Sequence, residues 1–347
     1  MKTLITGGAG FLGLHTAHCF AQNGWEVIVT DIADFFEEEF PKGTKYFRHD
    51  VRDREGLDKI LKENPVDVII HGAAALPLWK PSEIHDINEN GTRTVLDAAK
   101  AAGIKRVVFI SSTAVYGVPD HHPLFETDQL IGVGPYGESK IAAEKICESY
   151  RTKDFCVPVI RPKTFIGTHR LGVFQILYDW VESGKRIPMI GNGKNRYQLL
   201  EVDDLADAIF LGATVNAEKA NDTFNVGAEK YMTVREDMGA MCDYAGNGAR
   251  PWGTPAKPIK FFLIIFEALG LSPLYKWVYG TADQDSFVSI DKAKKVLGWS
   301  PKYSNAEALI RSYKWYLDHK HEIAQGTGIT HRIAWKQGIL AFFKKFM

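Results

Sequence analysis

The chain carries no excess of either charge: 42 Lys and Arg balance 42 Asp and Glu across 347 residues. That neutrality excludes a global basic field for nucleic acid and an acidic, self-solvating character. Cysteine is scarce. The four present (Cys19, Cys147, Cys156 and Cys242) lack metal-ligand spacing, so they read as buried reduced thiols and no metal is expected. The apolar run beginning at Phe261 falls short of the roughly 20 residues that cross a bilayer. There is no internal repeat and no low-complexity linker. Thr3-Leu-Ile leads straight into a glycine cluster at Gly7, so no secretory leader is expected and a reducing, cytoplasmic setting follows.

The first half of the chain alternates strand and helix patterns. Residues 2–6 read as a strand and 11–22 as a helix ending at Asn23-Gly24. Residues 26–30, 66–71 and 106–111 are further apolar strands, and 84–102 reads as a helix stopped by Gly103. This β-α-β rhythm predicts an α/β fold: a Rossmann-type, doubly wound parallel sheet with ligand-bearing strand ends along one edge. Glycine and proline punctuation thickens after Gly184, with helical patterns at 203–213, 259–269 and 305–319. The expected organisation is an NAD-binding domain over 1–165, rejoined by about 195–230. A smaller C-terminal substrate-binding lobe takes most of 166–320, and an amphipathic tail takes 321–347. A cleft between the lobes is the expected ligand site.

The loop Thr6-Gly-Gly-Ala-Gly-Phe-Leu-Gly13 supplies the first chemistry. Gly7 and Gly10 allow a tight turn and close approach to a pyrophosphate, and Gly13 lets the helix sit against the sheet. The phosphates then meet N–H groups of the helix start at Phe11, Leu12 and Gly13. Asp31 closes the second strand, where a carboxylate accepts bonds from both adenosine ribose hydroxyls and repels a 2′-phosphate. Ile32-Ala33-Asp34 follows without a cation, so NAD is preferred to NADP.

Tyr136 and Lys140 stand four apart, on one face of a helix. A phenol is a poor base at neutral pH. A neighbouring ammonium is expected to lower its pKa, so that it takes a proton from a substrate hydroxyl or returns one to a ketone. Lys140 also offers a bond to a cofactor ribose.

Further motifs follow in order: His71-Gly-Ala-Ala74, Asn88 in Asn-Glu-Asn-Gly-Thr92, Ser111-Ser-Thr-Ala-Val-Tyr-Gly117 and Arg161-Pro162. Gly191-Asn-Gly193, Val202-Asp-Asp-Leu205, Phe224-Asn-Val-Gly227 and Leu297-Gly-Trp299 complete the set. With them the chain resembles the extended short-chain dehydrogenase/reductase family, the NAD-dependent epimerase/dehydratase group, over roughly residues 1–320. The resemblance implies that Ser112 bonds the reacting substrate oxygen beside Tyr136 and Lys140. It implies cofactor contacts from Asp50 and Val51 at the adenine, from Gly72, Ala73 and Ala74 along the backbone, and from Asn88, Ser111 and Pro162. Thr113, Thr164 and Arg196 are the implied substrate contacts beside Ser112, Arg196 being otherwise a solvated loop residue. A homodimer through a four-helix interface, including the 84–102 helix and the Tyr136 helix, is implied as well.

Sugar 4,6-dehydratases of this family carry an Asp-Glu pair after the catalytic hydroxyl. Thr113 and Ala114 stand there instead, which disfavours elimination of water. Reversible oxidation of a secondary alcohol remains, with a nucleotide-sugar epimerase type favoured. Two departures keep a 3β-hydroxysteroid dehydrogenase-like oxidation of a sterol or lipid alcohol open. Thr164 replaces the usual Asn of Arg-Pro-x-Asn, and Arg250-Pro-Trp-Gly replaces Arg-Pro-Gly-Asp. A catalytically silent dinucleotide sensor is a third reading, disfavoured by the intact Ser112, Tyr136 and Lys140. The helix around Phe261 reads first as a core helix and otherwise as a greasy pocket wall or membrane-facing patch. Trp335, Ile339, Phe342, Phe343 and Phe346 recur at helical spacing in the tail among Lys336, Lys344 and Lys345. The tail packs on protein or lies on an anionic membrane surface.

Overall fold

Short runs of Val, Ile and Leu, buried on both sides, make the central strands: Val68–His71 and Val107–Ile110 are buried at every residue. Such runs suit a parallel sheet covered by helices. The computed structural model describes residues 1–323 except 76, 78, 133, 170 and 269–275, so the tail lies outside the described residues. In chain order the elements begin β1 (Lys2–Thr6), α1 (Phe11–Gln22), β2 (Glu26–Asp31), β3 (Lys45–Arg48), α2 (Arg54–Glu63) and β4 (Val68–His71). Next come α3 (Pro81–His85), α4 (Gly91–Ala101), β5 (Val107–Ile110), α5 (Gly134–Tyr150), β6 (Val159–Pro162), β7 (Phe165–Ile166), α6 (Phe174–Glu182) and β8 (Arg186–Ile190). They end with β9 (Leu200–Glu201), α7 (Val202–Thr214), α8 (Ala217–Ala220), β10 (Thr223–Val226), α9 (Val234–Ala245), β11 (Arg250–Thr254), α10 (Ala256–Ala268), α11 (Lys276–Thr281) and α12 (Asn305–Ile323).

Seven strands pair in the order β3-β2-β1-β4-β5-β6-β10, every pair parallel. This is the expected Rossmann-type doubly wound sheet, its order reversing at β1 and β4. Helices α1 and α7 pack together, while α2, α4 and α5 share a core with the strands around Leu4, Ile69, Val95 and Val107. That seven-stranded sheet belongs to a unit formed by residues 1–163, 202–227 and 288–300. Trp299 closes this unit, donating its indole N–H to the carbonyl of Asp204 at 2.9 Å.

The second unit takes residues 164–201, 228–287 and 301–323 of the described chain. Its core gathers Tyr178, Trp180, Met241, Leu309 and Tyr313 beneath α6, α9 and α12. A reciprocal cap between Thr233 and Glu236 starts α9, and Gly246 in the left-handed region ends it. Strand β8 pairs with β11 and β7 with β9.

Two expectations change. The helix expected over 84–102 is interrupted by a π turn at Asp86–Asn90, between α3 and α4. The core helix expected around Phe261 is α10, yet Phe261 and Phe262 are 61% and 51% exposed, Ile264 and Ile265 also face solvent, and Leu263 is buried. Among the described residues no helix is long and apolar enough to cross a membrane.

Candidate active site

The glycine loop and the segment after β4 meet where the sheet order reverses. Gly7 has φ +66°, and a Cβ on it would lie 2.7 Å from the Ala73 backbone, so only glycine admits this approach. Gly72 N–H donates to the Thr6 carbonyl at 3.1 Å, and Ala73 N–H to the Thr6 hydroxyl at 3.3 Å. Gly10 precedes the helix start at Phe11, Leu12 and Gly13; no side-chain bond caps it and no acidic residue occupies its first turn. This backbone suits a pyrophosphate. The Asp31 carboxylate accepts from Ala9 N–H at 3.0 Å and from Ala33 N–H at 2.9 Å, one bond on each oxygen. A carboxylate has about four acceptor sites, so each oxygen keeps capacity for a ribose hydroxyl. The residues therefore fit NAD. Sequence inspection found no cation beside Asp31, but sheet register sets Arg48 of β3 alongside it, the Arg48 guanidinium 3.7 Å from Asp34.

Other expected cofactor residues have protein partners. Asp50 is ion-paired with Arg52 at 2.6 Å, which holds its carboxyl below the usual range, and Arg52 reaches on to Asp86 at 2.8 Å. Val51 is buried in the core under α4. Asn88, in the π turn, accepts from Ala75 N–H at 2.9 Å and donates to the Ser139 hydroxyl at 2.9 Å. Ser139 in turn donates to the Tyr136 carbonyl, so Asn88 links the loop carrying Ala73 and Ala74 to α5. His71 bonds the hydroxyls of Thr6 and Thr92 at 2.8 and 3.0 Å, and burial pushes its imidazole down to about 3, so it is neutral.

Ser112, Tyr136 and Lys140 come together at the carboxyl end of β5. Ser112 starts the turn at Thr113–Tyr116, its hydroxyl accepting from Ala114 N–H at 3.1 Å. The phenol of Tyr136, half-buried, lies beside the Ser112 hydroxyl. Gly137 permits this: a Cβ there would lie 2.9 Å from the Ala114 carbonyl, so any larger residue would push α5 off the Ser112 turn. Lys140 is buried, donates to the Ile110 carbonyl at 2.9 Å, and lies 4.9 Å from the Phe109 ring centre.

The expected lowering of the phenol pKa is not found. Burial pushes Tyr136 up to about 12, and the nearby Ser112 hydroxyl is only a smaller opposing effect. The reason is placement: the Lys140 ammonium sits 5.9 Å from the centre of the Tyr136 ring and bonds a backbone carbonyl. Burial lowers Lys140 to about 8, opposed by Cys147 and by Glu144 one helical turn away. Tyr136 is thus a protonated phenol beside Ser112, with the Lys140 ammonium over its ring.

Thr113 donates to the carbonyl of Pro162, the last residue of β6, at 3.2 Å. The Ser111 hydroxyl donates to Glu144, which pairs with Arg161. The sequence gives Glu144 a single signal, its place four residues after Lys140. Thr164 and Arg196 belong to the second unit. Thr164 shares a hydrogen bond with the Tyr197 hydroxyl at 3.0 Å, while exposed Arg196 donates its backbone N–H to Asp285 at 2.7 Å. A cavity of about 530 Å³ in that unit is lined by neither, but by Arg235, Trp252 and the backbone around Gly191 and Gly253. No metal-binding cluster of His, Cys, Asp or Glu occurs among the described residues.

Known proteins resemble the chain over nearly its whole length. The uncharacterized protein y4nG of Sinorhizobium fredii is 36% identical, covering 97% of this chain and 84% of the relative. The UDP-glucose 4-epimerase of Halalkalibacterium halodurans is 27% identical over 92% of this chain and 97% of its own. The solved UDP-glucose 4-epimerase of Thermus thermophilus, in complex with NAD, is 26% identical with a TM-score of 0.73, covering 91% of this chain and 99% of that one. The model of the NAD dependent epimerase/dehydratase family matches residues 3–227, and the chain belongs to that family.

Proposed function

We propose that this enzyme is an NAD-dependent nucleotide-sugar epimerase, which oxidises one secondary alcohol of the sugar to a ketone and reduces it on the opposite face. NAD supplies a two-electron acceptor that the complete cycle regenerates. The chain's own residues manage the proton. As the phenolate, Tyr136 takes it at the phenol oxygen during oxidation and as the phenol returns it to the ketone oxygen, Ser112 bonds the substrate oxygen, and the positive charge of Lys140 beside the ring favours the ionised form that the first step requires. The observation that carries this reading is the convergence of Tyr136 and Lys140 on the strand end that bears Ser112, with Thr113 and Ala114 following where elimination would need an acid and a base. Full-length relatives that are UDP-glucose 4-epimerases support the nucleotide-sugar substrate. In the second unit, Arg235 and exposed Trp252 supply a cation and an aromatic face, two groups suited to a nucleoside diphosphate.

The test is incubation of the purified protein with UDP-glucose, with chromatography for UDP-galactose and an NAD assay on the supernatant of denatured protein. Interconversion with NAD retained and no NADH released is expected. Stoichiometric NADH from a hydroxysteroid, with no sugar turnover, refutes the epimerase in favour of a net dehydrogenase. A cytoplasmic homodimer packed through α4 and α5 is the assembly that accompanies this reading. Sedimentation at monomer mass would reject the dimer, and failure to float with anionic vesicles would reject membrane contact by the tail.

A further inference from the structure

We propose that the buried Glu144–Arg161 pair positions this active site, tying the strand end that carries Ser112 to the helix that carries Tyr136 and Lys140. The inference rests on the reading of those three as the acid/base group.

Glu144 lies on α5 one turn beyond Lys140 and two beyond Tyr136, so it shares their helix face. Arg161 comes from β6. Their side chains are 1% and 3% exposed. The guanidinium grips the carboxylate with two prongs: Nε donates at 2.9 and 3.1 Å, and Nη2 at 2.6 Å. Such a fork fixes orientation as well as distance.

The remaining capacity of both groups goes to the residues that bracket Ser112. Ser111, immediately before it, donates its hydroxyl to Glu144 Oε1. Tyr116, which closes the turn that Ser112 opens, accepts from Arg161 Nη1 at 2.8 Å. Tyr116 then donates to Asn225 on β10 at 2.7 Å. Arg161 Nη1 also reaches the Glu126 carbonyl at 3.1 Å, and the Glu126 carboxylate accepts from Asn225 N–H at 2.9 Å. One ion pair thus joins α5, β5, β6, β10 and the Glu126 loop around a single serine.

Stability alone does not account for it, because buried ion pairs are commonly matched or surpassed by well-packed apolar residues. Geometry does. Tyr136 and Ser112 stand on two different elements, and a slip of about 1 Å between them is enough to cost about 100-fold in rate. Glu144 and Arg161 are positioning residues, since their polar groups are committed to protein partners.

Three variants test this: Ser111→Ala removes one link and keeps the pair, Glu144→Gln keeps the shape, and Arg161→Lys keeps the charge without the fork. Expected in each is a kcat lower by about 10- to 100-fold with KM little changed, and in Glu144→Gln and Arg161→Lys an NAD affinity little changed as well. Faster amide hydrogen exchange across residues 111–117 should accompany it. A lower melting temperature with wild-type kcat and wild-type exchange at 111–117 would make the pair merely structural and overturn the proposal. Should Glu144→Gln fail to fold, Ser111→Ala decides by the same two readouts. Wild-type protein inert toward every nucleotide sugar defeats the proposed function. Exchange at 111–117 in Ser111→Ala still judges the positioning role, unchanged exchange refuting it.

Discussion

Replacing Tyr136 by Phe removes one oxygen and leaves the ring in place. The structural loss is one hydroxyl that makes no hydrogen bond to the protein among the described residues, worth at most about 1 kcal/mol, which in a chain of this size moves the melting temperature by less than about 4 °C. The chemical loss is far larger. Burial pushes this phenol up to about 12, so it is protonated at neutral pH and serves directly as the acid that returns a proton to the ketone. A positioned acid/base group contributes about 10²- to 10⁴-fold, equivalent to about 3–5 kcal/mol of barrier. The expected variant therefore melts almost as the wild type, binds NAD through the untouched glycine loop, and turns over at least about 100-fold more slowly. UDP-hexose interconversion, calorimetry and NAD titration on the same preparation measure all three. Undiminished turnover by a normally folded variant would refute the acid/base assignment.

Asp31→Ala should erode the preference for NAD over NADP, because it removes the carboxylate and leaves Arg48 alongside in register; an unchanged ratio of the dissociation constants for the two cofactors, by calorimetry, would contradict the ribose contact. Gly7→Ala places a methyl group 2.7 Å from the Ala73 backbone at φ +66°, so NAD affinity should collapse before stability does, and unaltered NAD binding by calorimetry would count against the cradle. His71 has a folded pKa of about 3 against 6.5 for the free group. Its unfolded form therefore binds protons first, and stability present above pH 6.5 is lost as pH falls toward 3, by on the order of a few kcal/mol. Urea midpoints at pH 7 and 4.5 should differ less in His71→Gln than in the wild type; equal differences would remove His71 from the account.

The glycine loop, α1 and the central strands were legible because each is local: a buried apolar run, a turn that only glycine makes, a helix period. Tyr136 and Lys140 were legible for the same reason, being one helical turn apart. What escaped depends on neighbours distant in sequence. Strand β3 reads Lys-Tyr-Phe-Arg, with charged ends, and exists because it pairs with β2 at the sheet edge. The π turn at Asp86–Asn90 carries Asn88, whose amide meets Ala75 and Ser139 far along the chain. The phenol was expected to be activated by Lys140, yet spacing says nothing of the Ile110 carbonyl that captures the ammonium. Glu144 is an ordinary helix residue until β6 brings Arg161 against it.

Strand β10 borders β6 but is encoded some sixty residues later, after the chain has left this unit and returned. On the ribosome, the first 163 residues therefore emerge with one flank of β6 bare, its backbone amides and carbonyls open to any other extended chain. That interval is a window for mispairing between nascent chains, closed only when Thr223–Val226 arrives. Truncation anywhere between these two strands should accordingly yield aggregates, however sound the glycine loop at the opposite end.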